Sequence, residues 1–191
     1  MARTSDKRER LVAAGCEVLY EQGLRGTSLA DIAERAGVPI GNVYYYFKTK
    51  EELARAVIAQ RRLDIEARYA DIEATISNPH ERLREFVRRA SQARTRVATH
   101  GCPYGTLAQE LRKSEGVLAD EAGDLLRIQT NWVASQYQAL GVRRGQAKAQ
   151  AVELVASMQG ASLLTHALCD PTIMKREFER LDRALVTQAP L

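Results

Sequence analysis

The 191-residue sequence is short of several things, and each shortage excludes a class of protein. Aromatic residues make up 6% and prolines number five. The twelve glycines mostly punctuate helical patterns and form no phosphate-cradling loop. Cysteine occurs three times, at Cys16, Cys102 and Cys169. An odd count gives no disulfide framework, so a reducing, cytoplasmic setting is expected. No apolar run approaches the roughly 18 residues that span a bilayer, so no membrane partner is expected. The first seven residues carry charge with no apolar stretch behind it, which does not read as a secretory signal. Strong charge of one sign is lacking too. Lys+Arg total 28 and Asp+Glu 24, and the net +4 permits a nucleic-acid partner without demanding one. The His-Glu-x-x-His and Gly-x-Ser-x-Gly spacings are missing, so no enzyme and no cofactor are expected.

What the sequence has is helical period, with 45% hydrophobic residues, enough for a real core. The pattern predicts an all-α fold of about nine helices. The first spans about Ser5 to Glu21, with Leu11, Val12, Gly15, Cys16 and Leu19 on one face. Thr27 or Ser28 caps the second, and Ser28 followed by Asp31 resembles a capping box. Gly37 breaks the chain, and Pro39 suits the first turn of a third, short helix. There, period places Ile40, Val43, Tyr44 and Phe47 inward and Tyr45 and Tyr46 outward, beside Lys48 and Lys50. A fourth helix runs from Lys50 to about Thr75. Asn78-Pro79 opens a fifth that continues past Val97. A sixth covers about Gly105 to Lys113, a seventh Gly116 to Leu140, an eighth Gln146 to Leu168, and a ninth follows Asp170-Pro171. Two domains are expected: residues 1–50, whose last helix runs on to about 75, and residues 51–191.

Two short helices about a glycine turn form a helix-turn-helix pattern. Outward tyrosines beside lysines suit phosphate contact, because hydroxyls donate, ammoniums neutralise and rings cover sugar. Gly41 lets another backbone approach closely. The basic residues Arg3, Lys7, Arg8 and Arg10 either reach adjacent phosphates or form a solvated helix start.

The stretches Thr27-Ser28-Leu29-Ala30-Asp31-Ile32-Ala33, Ala36-Gly37-Val38-Pro39 and Gly41-Asn42-Val43-Tyr44-Tyr45-Tyr46-Phe47-Lys48-Thr49-Lys50 resemble, in register, the DNA-binding signature of the TetR family of transcriptional repressors. The close resemblance covers about residues 7–55. It implies an all-helical repressor that binds double-stranded operator DNA as a homodimer and is released by a small-molecule inducer. By position, it places base and phosphate contacts on Gly41, Tyr44, Tyr45, Tyr46 and Lys50, and phosphate contacts on Thr27 and Ser28. Ile40 and Asn42 fall where sequence preference is set, and Asn42 is able to pair with adenine. Pro39 stands where the family often has a hydroxyl residue, and Tyr46 where it often has histidine.

Such a repressor needs a dimer surface and a pocket. The eighth helix is apolar nearly all round, which implies burial on both faces. Ala151, Leu154, Val155, Met158 and Ser162, with Phe178 and Leu181 of the ninth helix, are the expected dimer contacts. A two-fold dimer implies a near-palindromic operator. The pocket is expected among helices five to eight. Its apolar wall would come from Phe86, Leu107, Leu111, Trp132 and Tyr137. Its polar members would be Tyr104, Gln109 and His166, since buried polar groups need partners and a ligand supplies one. An inducer for this wall is aromatic or mostly apolar. The fourth and sixth helices would carry its signal to the DNA.

His100-Gly101-Cys102-Pro103 is the most unusual local run. It supports an alternative, an electrophile- or oxidant-sensing repressor acting through Cys102, against a plain reading of a small residue in a bend. Zinc held by His100, Cys102, His166 and Cys169 is a weaker option, and no metal is expected. The arginines of the fifth helix read as a solvated face. A helical ligand-binding protein without specific DNA recognition is the remaining alternative.

Overall fold

The computed structural model describes residues 2–113 and 116–187, with side chains described from Asp6 to Leu185 outside the gap. Among the described residues there are ten helices and no strand. They are α1 (Ala2–Gln22), α2 (Leu29–Ala36), α3 (Ile40–Tyr46), α4 (Lys50–Thr75) and α5 (Pro79–Gln92). Then follow α6 (Arg94–His100), α7 (Gly105–Arg112), α8 (Val117–Ala139), α9 (Arg144–Ala167) and α10 (Pro171–Thr187). The tenth helix arises because the expected fifth is divided at Ala93 (φ −79°, ψ 1°), whose N–H turns back to Ala90 and Ser91. The arginines and threonine that follow are exposed, and burial resumes only at Val97 and Ala98.

Local chemistry sets the helix ends. The Ser28 Oγ accepts the Asp31 N–H at 3.2 Å, and the Asp31 carboxylate accepts the Ser28 N–H at 2.7 Å. The Ser28 N–H, and with it the Ser28 hydroxyl at 2.8 Å, donates to the Asp31 carboxylate and holds it below its ordinary value. Gly37 ends α2 in the left-handed region (φ 61°), which favours glycine. Asn78 accepts the His80 N–H at 2.8 Å, with Pro79 in the first turn of α5. The Asp170 carboxylate accepts the Thr172 N–H at 2.8 Å and starts α10.

The chain forms two compact units. One takes the chain up to Asp64 and again from Thr106 to Leu125. The other takes Ile65–Gly105 and the chain from Leu126 on. The division therefore falls at Asp64 within α4 rather than near residue 50, because α7 and the start of α8 join the N-terminal helices. Arg55–Glu121 and Arg62–Asp124 pair α4 with α8 inside that first unit, at 3.2 and 3.6 Å.

The first unit packs α1 and α2 around Leu11, Ile32, Val43, Leu53 and Val57, all fully or almost fully buried. Cys16 belongs to this core, and burial raises its thiol pKa to about 11. Gly15 faces α4 so closely that an added Cβ would lie 2.9 Å from both Leu53 Cδ2 and Val57 Cγ2.

In the second unit α10 packs against α9, α5 and α6, burying Met174, Phe178, Leu181 and Leu185. The arginines of α5 are paired rather than merely solvated, which corrects the sequence expectation. Arg84 bonds Asp182 at 2.8 Å and Glu81 at 2.9 Å, and Arg89 bonds Glu85 at 2.8 Å and Asp71 at 2.5 Å. Arg88 stands 3.4 Å from Asp182.

The expected dimer contacts also need correction. Ala151, Leu154, Val155, Met158, Ser162, Phe178 and Leu181 are all buried within this one chain. The opposite stripe of α9 is the exposed one: Val152, Ala156, Leu163 and Leu164, with Leu168 exposed at the C-cap. A helix that is apolar on both sides cannot reveal by period alone which side meets its own chain.

Candidate nucleic-acid interface

Helix α3 has seven residues, and only Val43 of them is buried. Pro39 occupies its N-cap (φ −54°, ψ 136°), one position before the expected first turn. Phe47 is buried at the C-cap, but its backbone is extended (φ −136°, ψ 111°). Its inward direction therefore does not carry back along a helical stripe to Tyr44 and Ile40. Both were expected inward, and both are exposed, at 51% and 43%. Tyr45 is the most exposed aromatic, at 71%. Tyr46, expected outward, is half-buried and meets Tyr45 edge-on, with ring centroids 5.0 Å apart. The outer surface is thus Ile40, Gly41, Tyr44, Tyr45 and Lys48, with Asn42 half-buried beside them and Pro39 exposed at the entry.

Gly41 points into open space, where an added Cβ would meet nothing within 4 Å. No approach within the chain requires a glycine there. The aromatic pair and Lys48 supply two phenol groups and an ammonium on one short element, which is the chemistry that phosphates and sugars accept.

Three expected phosphate contacts are already engaged inside the chain. The Thr27 side chain is buried, and its hydroxyl donates to the Gly23 carbonyl at 2.7 Å. Lys50 donates to the carbonyls of Leu24 at 2.8 Å and Thr27 at 3.0 Å. Ser28 is exposed, with its hydroxyl donating to Asp31 at 2.8 Å as part of the cap. Lys50 is therefore a brace for the turn between α1 and α2.

The basic start of α1 is also partly structural. Arg10 donates to the carbonyls of Ala36 at 2.5 Å and Gly37 at 3.1 Å, holding the end of α2. Arg8 lies over the Phe47 ring, 5.4 Å from its centroid. Lys7 is half-buried, and the Arg3 side chain lies outside the described residues.

The expected pocket residues separate between the units. Leu107, Gln109 and Leu111 belong to the first. Leu107 and Leu111 are buried, but Gln109 is exposed, which corrects its reading as a buried polar group. In the second unit Phe86 and Trp132 come together, with ring centroids 5.7 Å apart. Tyr69 joins them, stacked on Trp132 at 4.5 Å and edge-on to Phe86 at 5.9 Å. Sequence reasoning missed Tyr69, although it shares the inward stripe of α4 with Ile65 and Ile72. The Trp132 indole N–H donates to Glu73 at 2.9 Å. Tyr137 lies elsewhere, in a cleft of about 130 Å³ with Gln150, Leu154 and Leu181. His166 Nδ1 meets the Ala98 carbonyl at 3.2 Å, joining α9 to α6. Tyr104 is buried. Cys102 is half-buried, and its sulfur accepts the Gly105 N–H at 3.4 Å. No group of three or more metal-ligating side chains is assembled among the described residues. No helix there is long and apolar enough to cross a membrane.

Residues 11–57 match the family model described as bacterial regulatory proteins, tetR family. The chain is 26% identical over 162 residues to the HTH-type transcriptional regulator LmrA of Bacillus subtilis, covering 84% of this chain and 86% of that one. It is 30% identical over 179 residues to the HTH-type transcriptional repressor DhaR of a Mycobacterium species, covering 85% and 83%. The crystal structure of a TetR-family regulator from Agrobacterium tumefaciens shares its fold, with a TM-score of 0.82, 24% identity, and coverage of 95% of this chain and 98% of that one.

Proposed function

Because this chain belongs to the TetR family and is a DNA-binding transcriptional regulator rather than an enzyme, we propose that it is a homodimeric repressor released by a small-molecule inducer. The observation that carries the reading is α3. Its exposed face presents Ile40, Tyr44 and Tyr45 around an unobstructed Gly41, with exposed Lys48 just past its C-cap, while Val43 and Phe47 hold it to the core. Ile40 and Asn42 meet base edges, and Tyr44, Tyr45 and Lys48 meet the sugar–phosphate backbone. Dimerisation uses the outer stripe of α9, where Val152, Ala156 and Leu163 recur at helical spacing with Gly160 between them. Two-fold symmetry then gives a near-palindromic operator with half-sites about one DNA turn apart.

Release is a shift between two states of the dimer. An inducer that binds better to the state with the wrong spacing of α3 helices weakens DNA binding, and DNA weakens inducer binding by the same factor. The buried rings of Tyr69 and Phe86, with the half-buried ring of Trp132 against them, support an aromatic or mostly apolar inducer. A second reading, a thiol sensor, rests on Cys102: its half-buried sulfur sits at the start of α7 and accepts the Gly105 N–H there. Cys102→Ser leaves a pocket-driven response intact and abolishes a thiol-driven one.

The test is selection of bound duplexes from a random pool. Enrichment of one recurring, near-palindromic sequence at two chains per site supports the proposal. Recovery of unrelated sequences, lost together at moderate salt, marks a chain without specific recognition.

A further inference from the structure

The turn from Gly23 to Thr27, which leads into Ser28 and α2, is gripped by two charged side chains. Glu110 of α7 uses both carboxylate oxygens. One accepts the Leu24 N–H at 2.9 Å and the other the Arg25 N–H at 2.8 Å. Lys50 of α4 holds the carbonyls of Leu24 and Thr27. Gly23 makes room for this. It is left-handed (φ +73°), and an added Cβ there would lie 2.9 Å from the Glu110 Oε2. Arg25 is exposed, so water would satisfy its N–H without any carboxylate, whereas Leu24 is buried and its N–H depends on Glu110. A two-oxygen clamp here does more than fill a hydrogen-bonding need: it fixes the direction in which the chain enters α2.

We propose that Glu110 is a positioning residue for DNA binding: by clamping the Leu24 and Arg25 N–H groups it sets the turn from which the helix-turn-helix starts. The proposal rests on the reading of this chain as a specific DNA binder. It has a counter-intuitive sign. Glu110 is an anion in a protein that binds a polyanion, so plain electrostatics predicts tighter DNA binding when it is removed, most of all at low salt. A positioning role predicts weaker binding at every salt concentration.

The experiment uses the full-length chain and the duplex enriched by the wild type. Affinity is measured by fluorescence anisotropy across a salt series for wild type, Glu110→Ala and Glu110→Gln. Glu110→Ala is expected to weaken binding by about tenfold, since it removes two charge-assisted hydrogen bonds, with the salt slope unchanged. Glu110→Gln keeps the shape and one acceptor, so it shows a smaller loss and carries the test if the alanine variant does not fold. Amide exchange at Leu24 and Arg25 speeds up in both variants, while Ile32 and Val43 keep their protection. Affinity that is unchanged or increased in a folded variant overturns the positioning role. Failure of the wild type to enrich any duplex overturns the reading beneath it instead.

Discussion

Helices α3 and α9 both expose apolar side chains, and they do so with different chemistry. On α3 the exposed groups are two tyrosines and an isoleucine beside a lysine. Each tyrosine joins an apolar ring to a polar tip, which suits a wet, charged partner. On α9 they are aliphatic, Val152, Leu163 and Leu164, with Leu168 at its C-cap and Ala156 and Gly160 along the helix. Those groups gain only by leaving water, which suits a second helix of the same kind. Exposed apolar surface therefore points to two partners in one chain, and the polar component of each surface separates them.

The largest effect that would break this contrast is on α9. Leu163→Glu puts a charge into the proposed helix–helix seam and should convert the dimer to monomer at micromolar concentration, seen by sedimentation. Operator affinity should fall by more than a hundredfold with it, because one half-site alone binds weakly. A monodisperse dimer of Leu163→Glu would place the interface elsewhere. The next effect is in the core that supports α3. Gly15→Ala pushes a methyl into Leu53 and Val57, and overpacking of this sort costs about 1–3 kcal/mol. A lowered thermal midpoint is expected, and an unchanged one would mean that α1 and α4 separate freely.

The smallest effect concerns Asp182 in the second unit. Burial alone would raise its carboxyl, but the bond from Arg84 and the charges of Arg88 and Arg84 outweigh that and hold it below its ordinary value. A lowered carboxylate contributes stability that is present at neutral pH and lost as pH falls through the lowered value. Asp182→Asn should cost about 1 kcal/mol at pH 7 and flatten the acid limb of the stability curve. An acid limb identical to wild type would remove Asp182 from the account.

How much of this was legible in the sequence depends on range. The Ser28–Asp31 cap, the Gly37 break, Asn78-Pro79 and Asp170-Pro171 act within four residues, and each stands where local pattern placed it. The direction of Tyr44 was not legible, because it turns on the extended backbone of Phe47. The inner face of α9 was not legible either, since apolar residues lie on both sides. Lys50 and Thr27 resembled phosphate contacts by position, yet their polar groups are engaged with the turn between α1 and α2. Glu110 lay beyond reach for a simpler reason: 86 positions separate it from Leu24, and no period or motif marks it.

The most direct test of the central claim is the affinity of Tyr45→Ala for the selected operator and for a scrambled duplex, beside wild type. Tyr45 is exposed and its pairing with Tyr46 is a surface contact, so the variant should fold with unchanged helicity. The account predicts at least about a tenfold loss on the operator and a similar proportional loss on scrambled DNA, because Tyr45 meets the sugar–phosphate backbone. Equal affinity of variant and wild type for the operator would contradict it, and would mean that the outer face of α3 does not meet DNA.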